Sequence, residues 1–144
     1  MKTEVTVNNL TKLQPGKSGY AERTVGEEDT ASSVGSGTAG VLATPVMINL
    51  IEAAALNAIE NDLPAGQQSL GTHLDVSHIA ATPVGMNARA SAKLVRIEGR
   101  LLEFEVRAED EVEEIATGTH RRIVVNSDKF AARVARKITG GKDQ

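Results

Sequence analysis

Three residues of this chain combine a reactive type with a telling setting: Thr44, Glu52 and His78. There is no cysteine, so thiolate attack, disulfides and cysteine-based zinc sites are all excluded. What remains is a hydroxyl, a carboxylate and an imidazole, the groups that activate water or an alcohol and move protons. Glu52 lies two turns into "PVMINLIEAAALNAI" (45–59), where only Asn49 and Asn57 are also polar. A carboxylate there is costly unless it is paired or faces a cavity. The plainer alternative is a polar stripe, because Asn49, Glu52, Leu56 and Glu60 fall on one side of the helical wheel. His78 falls on the apolar face of an alternating strand, just before the "ATPVG" turn (81–85). It reads either as a satisfied core histidine or as a general acid/base at a strand end. Thr44, followed by Pro45, reads as a helix N-cap whose hydroxyl accepts from a free backbone N–H. The same position also suits contact with an oxyanion.

Other constellations are weaker. Gly35, Gly37 and Gly40 spell G-x-G-x-x-G. A dinucleotide cradle needs a buried strand before the first glycine and a parallel strand after the helix. Here "DTASSV" precedes it and hairpins follow, so the glycines read as a loop. His73 and Asp75 point the same way from one strand, but two ligands without a third read as a solvated face. His120, Arg121 and Arg122 cluster on the last strand, where alternation sends the two arginines to opposite faces and the plain reading is surface charge.

These residues need elements to hold them. Residues 1–16 end in Pro15-Gly16 and read as an N-terminal arm, and 17–144 as one domain. "SGYAERTV" (18–25) is a strand. Residues 26–43 have almost nothing to bury and read as a mobile loop, and a loop this long is often functional. The central helix spans 44–62, ending at Pro64 and Gly66. In the next strand, Leu70, Thr72, Leu74, Val76 and His78 share one face, with Ser69, Gly71, His73, Asp75 and Ser77 on the other. The strand at 87–97 has a small-residue face of Ala88, Ala90, Ala92 and Leu94. Glu98-Gly99 signals a hairpin into "LLEFEVRA". A strand at 115–125 and an amphipathic helix at 127–137 close the chain. Short turns require antiparallel pairing. A helix apolar nearly all round needs a strongly curved sheet wrapped about it, with a second subunit over the remainder. The fold class is α+β: about five antiparallel strands curled around one long helix, with a short C-terminal helix.

The bulk properties add exclusions. At 144 residues the chain supports one core. A formal charge of −3 without a basic stripe argues against a nucleic-acid partner. The N-terminus lacks the apolar core of a signal peptide and no run reaches spanning length, so no membrane role and a cytoplasmic location are expected.

Three stretches carry a family resemblance: "LATPVMINLIEAA" (42–54), "SLGTHLDVSHIAATPVG" (69–85) and "EIATGTHRRIVV" (114–125). They resemble the fluoroacetyl-CoA thioesterase-like family of the hot-dog fold, and the similarity spans about residues 17–137. The resemblance implies an acyl-CoA thioesterase, acting on a small or short-chain acyl-CoA at a dimer interface without metal or redox cofactor. It implies that Thr44, Glu52 and His78 are catalytic, that Gly71 lies beside the thioester, and that Arg122 belongs to the acyl or CoA site. A homodimer, or a higher oligomer built on it, is the expected assembly. Where the fluoroacetyl-specific enzyme has aromatic residues before the helix, this chain has "GSGTAG". A dehydratase acting on a thioester in the same fold, or a non-catalytic acyl-CoA-binding dimer, are the alternative readings.

Overall fold

A computed structural model describes residues 10–140. Strand β1 (Ser18–Thr24) leads to a 3₁₀ turn (Glu27–Asp29) and a four-residue helix α1 (Ala31–Val34). Helix α2 (Thr44–Ile59), extended by a 3₁₀ turn over Glu60–Asp62, is followed by β2 (Gln67–His78), β3 (Asn87–Glu98), β4 (Leu101–Glu109) and β5 (Glu114–Asn126). Helix α3 (Ser127–Ile138) closes the described chain. All strand pairs are antiparallel, in the order β1-β3-β4-β5-β2. The sheet curls about α2, as the run of short turns requires.

Helix α2 buries Met47, Ile51, Ala54, Ala55, Ala58 and Ile59, the three- and four-residue spacing of one helical face. Met47, Ile51 and Ile59, each fully buried, contribute about 1.5–3 kcal/mol apiece. Its opposite side, at Asn49, Ala53 and Asn57, is exposed in the single chain. Asn57 accepts the Tyr20 backbone N–H at 2.9 Å, tying β1 to the helix. The small face of β3 is the surface on which the helix sits: Ala88, Ala90, Ala92 and Leu94 are all buried.

Gly19 pairs with Ala92 and allows the closest approach. A Cβ added there would overlap the Ala54 carbonyl and the Ala58 amide of α2. Neither is a mobile side-chain end, so the helix itself would have to move. Gly19→Ala is expected to destabilise the fold by about 3 kcal/mol and to lower Tm by roughly 10 °C, read by thermal denaturation. An unchanged Tm would show that helix and sheet are not in contact there.

Two expectations change. The first concerns the N-terminal arm. Leu10 and Leu13 are buried in the core, so residues 10–16 belong to the domain, and 1–9 lie outside the described residues. The second concerns residues 26–43, which are not structureless. Asp29 is buried, accepting from Arg23 Nε (2.8 Å) and the Gly26 amide (2.8 Å). The Asp29 carbonyl accepts the Ala43 N–H, and the Leu42 N–H donates to the Thr82 carbonyl, each at 2.9 Å. Short bridges join Thr30 to Leu42 and Val41 to Pro83. A polar segment can be ordered through hydrogen bonds to its own backbone, which hydrophobic periodicity does not register.

Candidate active site

The site is built from the N-terminus and the middle of α2. The N-cap is Ala43, with no side-chain cap bond. Thr44, expected as the cap, is instead the first helical residue, and its hydroxyl is turned to another partner. That partner is His78, at the end of β2: Thr44 Oγ1 lies 2.8 Å from His78 Nδ1. His78 is half-buried, and its Nε2 is buried with no hydrogen-bond partner among the described residues. Burial lowers the His78 pKa from its ordinary value, opposed in part by the Ala80 backbone. A neutral imidazole with Nδ1 unprotonated accepts the Thr44 proton, the polarity a general base needs. The pair opens on a cavity of about 330 Å³, whose wall is formed by Ala31, Ser36, Val41 and Leu42.

Glu52 forms a second cluster. It stands eight residues beyond Thr44, roughly 12 Å along the helix axis, so within one chain it does not join the Thr44–His78 pair. Arg122 Nη1 lies 3.6 Å from Glu52 Oε2, with Glu52 about one-third exposed and Arg122 buried. The rest of the guanidinium is fixed: Nε donates to Ser69 Oγ (2.8 Å), Nη2 to the Ser69 carbonyl (3.1 Å) and Nη1 toward His120 Nε2 (3.1 Å). His120 is fully buried, its Nδ1 lies 2.8 Å from the His73 carbonyl, and its ring stacks on Phe104 with centroids 5.9 Å apart. An Nδ1–H donating to that carbonyl leaves Nε2 free to accept from Arg122, so one neutral tautomer satisfies both bonds. Burial lowers the His120 pKa and, in part, so does the Arg122 charge; the His73 backbone and Glu52 oppose them. Burial also lowers the Arg122 pKa, with Glu52 opposing, yet an arginine remains a cation.

Gly71 belongs to this cluster. A Cβ at position 71 would overlap Glu52 Oε2, so the carboxylate occupies space that any side chain here would fill. Strict alternation places Gly71 and His78 on opposite faces of β2. The structure corrects that: the register slips between Gly71 and His73, leaving Thr72 as an extra residue. This β-bulge reverses the alternation. Ser69 and Gly71 before it, and His78 after it, therefore all face α2.

His120 and Arg122, whose plain reading with Arg121 was surface charge, are both buried. The signal was present in the alternation of β5, since His120, Arg122 and Val124 share a buried face while Arg121 is exposed. His73 and Asp75 are both exposed, and no group of three or more metal-ligating side chains occurs among the described residues. Gly35 ends α1 in the left-handed conformation (φ 85°), and the strand after α2 is antiparallel, so the glycines do not form a dinucleotide cradle.

A curled antiparallel sheet closed on a single helix is the hot-dog fold, and the chain is a thioester hydrolase of that fold. It belongs to the fluoroacetyl-CoA-specific thioesterase family, whose sequence profile matches residues 25–128. The chain is 44% identical over 101 residues to the fluoroacetyl-CoA thioesterase of Streptantibioticus cattleyicolor, covering 70% of this chain and 73% of that protein. Superposition on a solved structure of the fluoroacetyl-CoA thioesterase FlK gives a TM-score of 0.82 at 35% identity, over 87% of this chain and 97% of that one. An FlK variant with phenylalanine replaced by alanine, solved with fluoroacetate and CoA, gives 0.77 at 35% identity, over 82% and 99%. No helix among the described residues is long and apolar enough to cross a membrane.

Proposed function

We propose that the protein hydrolyses a small or short-chain acyl-CoA thioester in a site completed between two copies of the chain. The observation that carries this reading is the Thr44–His78 hydrogen bond at the mouth of a cavity. An oxygen, from Thr44 or from water held by Glu52, adds to the thioester carbonyl and gives its proton to His78. The resulting oxyanion is held by a backbone N–H near Gly71. Collapse breaks the carbon–sulfur bond, and the CoA sulfur takes the proton back from His78. If Thr44 attacks, a second round with water releases the acid from the threonine ester.

The acyl group follows from the wall of the cavity. The chain's aromatic residues are Tyr20, Phe104 and Phe130, and residues 26–43 contain none. Small side chains such as Ala31, Ser36 and Val41 surround Thr44 and His78, so nothing there selects for a fluorinated carbon. A short acyl group without that specificity is the substrate class we infer. A CoA-ester substrate and the absence of cysteine fit a cytoplasmic protein.

Two observations support a dimer. Glu52 and the Thr44–His78 pair are too far apart along α2 to share one thioester within a chain, and the exposed side of α2 carries Ala53 beside Asn49 and Asn57. In this reading one copy contributes Thr44 and His78 and the other contributes Glu52. Mixing inactive Thr44→Ala with inactive Glu52→Ala, after reassortment of subunits, should restore about a quarter of wild-type kcat, because half the dimers then carry one intact site. Mixtures as inactive as their parents would place all three groups in one chain.

A further inference from the structure

The far side of β2 and β5 carries a groove of about 450 Å³ that the chemistry above does not use. Leu70 and Ile123, the chain neighbours of Gly71 and Arg122, are turned away from α2 and form its apolar floor with Val125. Helix α3 lies over it through Phe130, which is half-buried although no residue of α3 is fully buried. Three cations line the groove, Arg100 from the β3–β4 turn and Lys129 and Arg133 from α3, and no carboxylate does. The ion pairs of the described residues engage Lys17, Arg23, Arg96, Arg107 and Arg122, and none of these three. In a chain of net charge −3, three unpaired cations converging on an apolar floor and an aromatic ring form a site complementary to a phosphorylated aromatic ligand.

We propose that this groove binds the 3′-phosphorylated adenosine diphosphate end of CoA. The adenine lies on the floor against Phe130, and the phosphates meet Arg100, Lys129 and Arg133. The proposal rests on the acyl-CoA reading. It assigns a role to residues beyond the family profile, which ends at residue 128. Strand β2 is the edge of the sheet, and Leu70 of the floor directly precedes Gly71 of the Glu52 cluster.

The test uses the double variant Lys129→Ala/Arg133→Ala, whose positions are exposed on α3. Two readouts are needed: calorimetric binding of adenosine 3′,5′-bisphosphate, and KM for acetyl-CoA relative to acetyl-pantetheine, which lacks the nucleotide. The expected result is bisphosphate binding by the wild type that weakens about tenfold in the variant, with a similar rise in the KM ratio and an unchanged kcat. Bisphosphate bound equally by both proteins, no binding by the wild type, or an unmoved KM ratio would overturn the proposal. Bisphosphate binding that depends on Lys129 and Arg133 in a protein that hydrolyses no thioester would uphold the groove and reject the hydrolase reading.

Discussion

Replacing Glu52 by Gln is expected to lower kcat for acyl-CoA hydrolysis about 10³-fold, within the usual range for removing a carboxylate that holds and polarises the attacking water before its proton passes to His78. Gln has nearly the same shape, so the loss must come from charge and basicity. The fold should barely notice. Glu52 is about one-third exposed and sits 3.6 Å from Arg122, and such a partly solvated pair contributes at most about 1 kcal/mol. Arg122 keeps its bonds to Ser69 and toward His120. Thermal denaturation beside steady-state kinetics separates the two effects. A kcat within tenfold of wild type would remove Glu52 from the chemistry, and a large fall in Tm would make its role structural.

His78→Ala should cost about 10²–10³-fold in kcat and abolish the acid limb of the pH–rate profile. The direction of that limb follows from burial, which lowers the His78 pKa. The neutral, proton-accepting form therefore persists below the ordinary histidine value of 6.5. The wild-type kcat/KM should begin to fall only below that value. An acid limb centred above it would contradict the geometry. The same shift has a consequence for stability. His78 and His120 are both lowered, so the unfolded chain binds protons that the folded chain does not. The folded state is unpenalised above the ordinary histidine value and loses stability as pH falls from there down through the lowered, folded values.

The sequence made most of this fold legible because its patterns were local. The small face of β3 from Ala88 to Leu94 alternates without a break over those residues, and all four are buried. The apolar run of α2 and the short turns between strands were enough to require antiparallel pairing around a helix. The site was less legible because it depends on departures from regularity. Thr72 inserts into β2 and brings Gly71 and His78 to one face, and simple alternation has no sign for that. Ala43 takes the N-cap without a side-chain bond, which leaves Thr44 for His78 where propensity assigns it to the backbone. Asp29 orders residues 26–43 through hydrogen bonds, and burial patterns carry no trace of such bonds. His120 was hidden by its neighbours: beside Arg121 and Arg122 it reads as surface charge, although its face of β5 is the buried one.

The central claim is that Glu52, His78 and Thr44 together break a thioester. Release of free thiol from a panel of acyl-CoA esters, by the wild type and by Glu52→Ala/His78→Ala, tests it most directly. The account predicts release of one thiol per ester consumed on short acyl groups by the wild type, and none above background by the double variant. Equal release by both proteins, an enoyl absorbance change without thiol, or acyl-CoA bound and left intact would contradict it.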